Sequence, residues 1–222
     1  MQSENQIILI DKPAGISSFG VVAKVRKKLT QEFGHKVKVG HTGTLDPFAT
    51  GLLILLSGKM TKKSNEFLKL DKVYEATLKL GYTSTTGDPE GEITEYDDCE
   101  PSMLKNGIPD FSAIESCLAN FIGEITQTPP KFSAIKINGQ RAYKLARKGR
   151  DFEIPSRKVE IYSIEIISYS YPELTIRTHV SSGTYLRTLA EDIGQKLGTG
   201  AYLTALRRTK IGKYGVKNAV ML

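Results

Sequence analysis

Alternating and continuous apolar positions predict several β-strands in this chain. Residues 7–10 and 52–56 are short apolar runs bounded by turn residues, which is typical of strands buried in a sheet. From Val73 to Leu80, apolar and polar residues alternate, so we expect a half-buried strand. Residues 158–169 and 173–180 predict a pair of strands that are adjacent in the chain.

Segments with helical periodicity lie between these strands. Ser17 or Ser18 is a suitable N-cap for a helix with Val21, Val22, Val25 and Leu29 on one face. Further helices are predicted at residues 61–70, 111–121, 141–148 and 184–197, with Gly198 as the stop of the last one. A strand is expected at 131–137, before an Asn138-Gly139 turn. This order shows no regular βαβ repeat, so we predict an α+β fold with a mixed, largely antiparallel central sheet flanked by helices.

Charge is distributed unevenly along the 222 residues. Lys and Arg number 31 against 24 Asp and Glu, a net charge of +7. Residues 88–115 carry nine acids and one base, a charge of −8, which leaves +15 on the rest. Basic residues cluster at 24–38, 131–158 and 207–217, and clusters that meet in the fold would bind a polyanion such as RNA. Each cluster alone is equally consistent with a solvated surface, and an anionic membrane surface is a weaker alternative.

Several functional classes are excluded by the sequence. The longest apolar stretch, residues 52–56, is far short of the roughly 20 residues that cross a bilayer, and no signal peptide pattern is present. Cys99 and Cys117 do not form a zinc or disulfide pattern. Dinucleotide, phosphate-loop, serine-hydrolase and zinc-protease motifs are absent. We therefore expect a cytoplasmic protein whose chemistry uses no cofactor and no metal.

The segment from Gly40 to Gly51 is the strongest candidate for a chemical site. It is predicted as a loop, and Pro47 disfavours helical backbone at Asp46, so the carboxylate is held on a stiff, extended segment. Such a loop is suited to present a nucleophile or a base. The alternative is that Asp46 only closes a turn before Pro47 and that His41 is an ordinary surface residue.

Motifs along nearly the whole chain resemble one family. They are Asp11-Lys12-Pro13-Ala14-Gly15, Gly40-His41-Thr42-Gly43-Thr44-Leu45-Asp46-Pro47, Lys72-Val73-Tyr74, Pro129-Pro130, Ser182-Gly183-Thr184-Tyr185-Leu186-Arg187-Thr188 and Leu206-Arg207-Arg208. In this order they resemble the bacterial tRNA pseudouridine-55 synthases, the TruB family. The resemblance implies a pseudouridine synthase catalytic fold and conversion of one uridine in the tRNA T-loop to pseudouridine, without cofactor or metal.

The resemblance also implies roles for individual residues. Asp46 is the expected nucleophile, Arg187 the cation that pairs with it, and Tyr74 the ring that stacks on the flipped base. Residues expected near the substrate are His41, Tyr185, Leu206, Lys62 and Asp88. Candidates for RNA contacts are Lys136, Arg141, Lys144, Arg147, Arg207 and Arg208.

For domain organisation, we expect one catalytic domain over residues 1–222. It would carry an acidic, exposed insertion at about 83–110 and a basic C-terminal segment at 207–222, and would lack the small RNA-binding PUA domain typical of bacterial members. The partner is expected to be the T-arm of tRNA, with no membrane contact and a monomeric protein. Two alternatives stay open: a pseudouridine synthase for another RNA stem-loop, and an RNA-binding or RNA-folding protein without turnover.

Overall fold

The computed structural model describes residues 3–96, 108–137 and 139–222, so Cys99 and Asn138 lie outside the described residues. The strands are β1 (Ile7–Lys12), β2 (Val39–His41), β3 (Thr50–Ser57), β4 (Lys72–Leu80), β5 (Tyr82–Ser84), β6 (Ile93–Glu95), β7 (Gly123–Gln127), β8 (Lys136–Ile137), β9 (Gln140–Arg141), β10 (Arg157–Ser170), β11 (Glu173–Val180), β12 (Ala201–Ile211), β13 (Tyr214–Gly215) and β14 (Val220–Met221). The helices are α1 (Ser18–Phe33), α2 (Ser64–Leu68), α3 (Phe111–Ala119), α4 (Ala142–Ala146) and α5 (Leu186–Leu197), with 3₁₀ turns at Gly58–Lys63 and Val216–Asn218. The chain divides into unit 1, Met1–Glu75 with Leu206–Leu222, and unit 2, Ala76–Ala205.

Unit 1 is built around β3. This strand pairs antiparallel with β1 and β2 and parallel with β12, and β14 pairs parallel with β1. Both faces of β3 are buried: Leu53 and Leu55 pack with the apolar side of α1, whereas Leu52, Ile54 and Leu56 pack with Phe67 and Ile211. Successive side chains of a strand point to opposite faces, which explains why the run 52–56 is apolar at every position.

Helix α1 begins and ends at residues suited to those positions. The Ser17 side chain accepts a hydrogen bond from the backbone N–H of Gly20 at 3.0 Å, and Gly34 ends the helix with φ 72°. A serine N-cap satisfies one of the free N–H groups of the first turn, and glycine adopts positive φ without steric cost. Of the two candidate caps, Ser17 is therefore the one that caps the helix, and the neighbouring Ser18 is available for a tertiary contact.

In unit 2, strands β4, β11, β10 and β7 lie side by side. Strand β10 pairs antiparallel with both β11 and β7. Along β4 every second side chain is buried, so the predicted alternation is confirmed. Helix α3 packs on α5 and on β10, and Ile114, Ile161 and Ile193 are fully buried in the core.

The α+β class with a mixed sheet is confirmed, while several boundaries differ from the expectation. The predicted strand at 131–137 is reduced to Lys136–Ile137, and β7 and the long strand β12 were not predicted. The 61–70 helix is a 3₁₀ turn followed by the short α2, and the 40–51 loop begins inside β2. Within the expected acidic insertion, Gly87 and Asp88 are buried. In the described parts of the chain, no helix is long and apolar enough to cross a membrane.

Candidate active site

Two residues near the N-terminus hold the backbone on either side of Asp46. Ser18, which is buried, accepts from the N–H of Leu45 at 2.8 Å and donates to its carbonyl at 2.9 Å. The fully buried Lys12 ammonium donates to the carbonyls of Pro13, Ile16 and Pro47 at 2.8–3.1 Å. A buried charge is tolerated when its hydrogen bonds are satisfied, so these contacts fix the residues before and after Asp46.

A second buried cation, Arg208 on β12, holds the start of the same loop. Its guanidinium donates to the carbonyls of Gly43 at 3.1 Å, Thr44 at 3.4 Å and Leu52 at 2.8 Å, and only 1% of the residue is exposed. The planar guanidinium presents donors in a fixed geometry, which suits several carbonyls of one loop. Arg208 therefore has a structural role here, in place of the RNA contact predicted from the sequence.

Tyr74 belongs to the same assembly in unit 1. The residue is 8% exposed near the start of β4, and its ring centroid lies 6.0 Å from the Arg208 guanidinium carbon. A cation at this distance from an aromatic face is attracted by the ring quadrupole. Arg208 thus contacts both the Asp46 loop and Tyr74. Asp46 and Tyr74 are both expected at the reacting nucleotide, so the same side chain supports two parts of the candidate site.

In unit 2, Arg187 and Asp88 form a buried ion pair. The Nη1 atom of Arg187 lies 3.3 Å from Oδ2 of Asp88, and both side chains are at most 6% exposed. The guanidinium also donates to the carbonyls of Thr86 at 3.0 Å and Phe132 at 2.9 Å. Asp88 in turn accepts from the Thr86 hydroxyl at 2.6 Å and from the N–H of Glu90 at 3.0 Å. The orientation of Arg187 is therefore determined by several fixed partners.

Tyr185, which precedes α5, is positioned by the buried Gln127. The N–H of Tyr185 donates to the Gln127 amide oxygen at 3.1 Å, and the Gln127 amide donates to the Tyr185 carbonyl at 3.3 Å. The Arg157 guanidinium lies 4.8 Å from the Tyr185 ring centroid. The ring is half-buried, so part of it is open to a planar ligand.

The remaining residues expected near the substrate lie in different places. His41 is half-buried at the end of β2, and its Nδ1 accepts a hydrogen bond from the N–H of Gly43 at 3.4 Å. Leu206 is buried on β12, two residues before Arg208. Lys62 is exposed in the 3₁₀ turn that follows β3, whereas Asp46 precedes that strand. The structure thus places Lys62 at the end of β3 opposite to Asp46.

Four of the predicted RNA contacts share one exposed surface. Lys136 and Arg141 lie on the β8–β9 hairpin, Lys144 and Arg147 on or just after α4, and all four side chains are exposed. Arg207 on β12 is partly exposed and pairs with Asp11 at 2.6 Å. This arrangement leaves the hairpin and α4 available to an anionic ligand.

Sequence reasoning missed the residues that hold the loop. From the sequence, Lys12 stands out only as part of the motif that begins at Asp11, and Ser18 only as a possible helix N-cap. Each contacts a residue that is distant in the chain: Ser18 and Leu45 are separated by 27 positions, and Lys12 and Pro47 by 35. One signal was available in the sequence. Asp11-Lys12-Pro13 and the Asp46 loop both belong to the motifs that resemble the family.

Comparison with known proteins agrees with this architecture. Residues 26–186 match the model of the N-terminal domain of the TruB family pseudouridylate synthases, and residues 187–222 match that of the tRNA pseudouridylate synthase B C-terminal domain. The tRNA pseudouridine synthase B of Flavobacterium johnsoniae is 46% identical over 219 residues, which are 98% of this chain and 93% of the relative. The protein of that name from Burkholderia mallei is 44% identical over 216 residues, 97% of this chain and 67% of the relative.

Solved structures show the same fold. A chain in the crystal structure of a Cbf5-Nop10-Gar1 complex superposes with a TM-score of 0.71 and 29% identity over 99% of this chain, which spans about half (53%) of that chain. A chain in an H/ACA RNP bound to a substrate RNA containing 2′-deoxyuridine gives a TM-score of 0.67 and 26% identity over 97% of this chain and 50% of that chain. With the matched family models and the 46% identical relative, these similarities confirm the predicted family: the chain belongs to the TruB family of pseudouridylate synthases.

Proposed function

We propose that this protein converts a uridine of tRNA, position 55 of the T-loop, to pseudouridine, with Asp46 as the nucleophile. The observation that carries the proposal is the attachment of the Asp46 loop. Gly43, Thr44, Leu45 and Pro47 are each hydrogen-bonded by a buried side chain of Arg208, Ser18 or Lys12. Holding a nucleophile in a fixed position lowers the entropic cost of reaction. The relatives named tRNA pseudouridine synthase B support tRNA as the substrate.

The reaction is an isomerisation, so the atoms of the uridine are conserved. The N1–C1′ bond breaks, the base turns, and a C5–C1′ bond forms, while C5 loses its proton and N1 gains one. Asp46 attacks either C1′ of the ribose or C6 of the base, and in both cases a covalent intermediate divides one difficult step into two. We leave the choice between these carbons open.

Tyr74 and Arg187 are proposed as the other catalytic residues. Tyr74 stacks on the extruded uracil, which places its phenol where the proton leaves during rearrangement. Arg187 supplies a permanent positive charge, because a guanidinium stays protonated even in a buried site. Its contacts to Asp88, Thr86 and Phe132 hold that charge in one orientation.

A uridine inside a folded loop must leave its stack before a carboxylate can reach it. Unstacking costs a few kcal/mol, which contacts to the RNA backbone and stacking on protein side chains offset. We propose that Lys136, Arg141, Lys144 and Arg147 supply part of these contacts, since all four are exposed on one hairpin and the helix after it. His41, Tyr185 and Leu206 are proposed to contact the substrate nucleotides.

The test is release of tritium from tRNA transcript labelled at C5 of uridine. Wild type, Asp46→Asn and, as a control in the same unit, Glu66→Gln are compared, because Glu66 is an exposed carboxylate. We expect release by wild type and by Glu66→Gln, and none by Asp46→Asn although it still binds tRNA. Sequencing of the product for pseudouridine then identifies the position.

Other outcomes point to the two alternatives. Release from tRNA at a different position, or only from ribosomal or messenger RNA, would replace the T-loop assignment with another stem-loop. Binding of tRNA by wild type and Asp46→Asn without release from any RNA would replace the enzyme with an RNA-binding or RNA-folding protein.

A further inference from the structure

A cleft of about 340 Å³ in unit 1 is lined by basic side chains that the proposed reaction does not use. Its cationic and hydroxyl side chains belong to His35, Lys36, Lys38, Lys59, Thr61 and Lys62. We call this the lysine cleft. It combines the segment after α1 with the 3₁₀ turn after β3, which are neighbours because the N–H of Gly58 donates to the carbonyl of Lys38 at 2.8 Å.

The backbone beneath the lysine cleft is held in place by hydrogen bonds. The Ser57 hydroxyl donates to the carbonyl of Glu4 at 2.6 Å, and the N–H of Lys59 donates to the side chain of Asn5 at 2.6 Å. At Gly58, φ is +54°, and a Cβ there would lie 2.3 Å from the Asn5 side-chain oxygen. Glycine is therefore required at position 58, where the backbone passes close to Asn5. These contacts fix the backbone of the 3₁₀ turn from which Lys59 and Lys62 extend.

The charge of the cleft is unbalanced. Its carboxylate, Glu4, is engaged with His35 at 2.9 Å. The side chains of Lys36, Lys38, Lys59 and Lys62 are exposed, and across residues 3–96, 108–137 and 139–222 none of them forms an ion pair. Four ammonium groups around one concave surface produce a positive potential that attracts polyanions. The arrangement suits phosphate oxygens, which lysines bind as point charges.

The position of the cleft determines which part of a ligand it meets. Strand β3 runs from Thr50, close to Asp46, to Ser57, where the lysine cleft begins. The seven steps between these two residues, at roughly 3.3 Å each, give a separation of about 23 Å along the strand. This is several times the spacing of adjacent nucleotides in a duplex, which is roughly 3.4 Å in DNA. One flipped nucleotide cannot occupy both places, so the ligand of the cleft lies outside the reacting nucleotide.

We propose that the lysine cleft binds phosphodiester groups of the RNA substrate at a distance from the modified uridine. The choice of RNA as the source of phosphate rests on the proposed function, whereas the cation cluster itself does not. Because the lining offers ammonium groups and no set of paired donors and acceptors for base edges, binding is independent of nucleotide sequence. On this proposal, Lys62 contacts the RNA phosphodiester backbone instead of lying beside the reacting nucleotide.

The experiment compares two triple variants with the same change in charge. In the cleft variant, Lys36, Lys38 and Lys59 are replaced by Gln. In the control variant, Lys63, Lys69 and Lys196 are replaced by Gln, all three being exposed and outside both the lysine cleft and the basic clusters at 24–38, 131–158 and 207–217. Fluorescence anisotropy measures the Kd for labelled tRNA between 50 and about 200 mM salt, the range over which phosphate contacts change affinity strongly. Far-UV circular dichroism and thermal melts verify that both variants fold.

We expect the cleft variant to bind tRNA about tenfold more weakly. The slope of log K against log salt should also fall in magnitude by about two, since each phosphate contact contributes roughly 0.7–0.9. The control variant should lose less than about threefold, the effect of net charge alone. An isolated T-stem-loop should show a smaller difference between the variants than full tRNA does.

Equal losses in the two triple variants would overturn the proposal, and so would a loss confined to phosphatidylserine vesicles with tRNA binding intact. Failure of the proposed function can be distinguished from failure of the lysine cleft. If wild type releases no tritium and the cleft variant alone loses tRNA affinity, the lysine cleft stands and the isomerase does not. Absence of measurable tRNA binding by wild type would overturn both.

Discussion

The backbone of Arg208 occupies the space that a side chain at position 51 would need. The two residues are partners in the parallel pairing of β12 with β3, and a Cβ added to Gly51 would lie 2.3 Å from the Arg208 carbonyl oxygen. Gly51 also has φ +100°, a region that L-residues with side chains rarely adopt. Glycine at position 51 is therefore what allows Arg208 to reach the loop that carries Asp46.

Replacing Gly51 with Ala should destabilise the protein strongly. We expect a loss of at least about 2 kcal/mol in the free energy of unfolding, because the strained φ and the backbone clash act together. Urea unfolding followed by circular dichroism measures this change. Gly215→Ala is the matched control, since nothing lies within 4 Å of a Cβ at that position, and its stability should stay within about 0.5 kcal/mol of wild type. Equal stabilities would refute this account of Gly51.

Arg208→Lys should reduce turnover more than it reduces tRNA affinity. Lysine keeps the charge, but its single ammonium cannot span the carbonyls of Gly43, Thr44 and Leu52 as the guanidinium does. We expect single-turnover tritium release at saturating enzyme to slow by at least roughly tenfold, the cost of a slightly misplaced nucleophile. The neighbouring Arg207→Lys, whose side chain is 40% exposed, should change the rate less than threefold. A slow Arg207→Lys and a normal Arg208→Lys would contradict the structural role of Arg208.

Asp88→Asn should show whether the buried pair with Arg187 matters for folding. The substitution removes one carboxylate charge from beside the Arg187 guanidinium, where both side chains are almost completely buried, which costs about 3 kcal/mol. The measurement is the midpoint of urea unfolding together with the rate of tritium release, and both should fall. Asp151→Asn removes the partner of Lys131 in an exposed pair 3.6 Å apart and should have no measurable effect. If the two substitutions were equally harmless, Asp88 would not be holding Arg187.

His35 should titrate above its ordinary value. The hydrogen bond to Glu4 is the main cause that raises the pKa of His35 above 6.5. Since the folded state binds this proton more tightly, the stabilisation is complete below pH 6.5 and disappears as the pH rises through the folded pKa. NMR titration should show the His35 midpoint falling in Glu4→Ala. An unchanged His35 midpoint would contradict the pairing.

The sequence was most informative where structure depends on neighbours in the chain. The cap at Ser17, the alternation along β4 and the doubly buried β3 were all predicted, because each follows from local spacing. The family was predicted from motifs, and the comparisons confirm it. The catalytic role of Asp46 remains a prediction, as does the single catalytic domain.

Residues whose environment comes from distant segments were not predicted. Arg208 was assigned to a basic tail because its own neighbours are basic, whereas the carbonyls that receive its guanidinium are supplied 156–165 positions earlier. Asp88 was assigned to an exposed acidic segment, yet its partner Arg187 lies on α5. Lys62 was expected near the substrate, and only the course of β3 shows that it lies at the far end of that strand. Local composition cannot reveal such pairings.

The attachment of the Asp46 loop also has a consequence for biosynthesis. During translation, residues 40–51 leave the ribosome long before β12, and Lys12 and Ser18 are the first of their anchors to be made. Arg208 arrives about 160 residues later, roughly 8–30 s at common elongation rates. Until then the nascent chain holds its candidate nucleophile on an unfinished loop. The order of synthesis thus leaves the Asp46 loop without its Arg208 contacts until the last long strand has emerged.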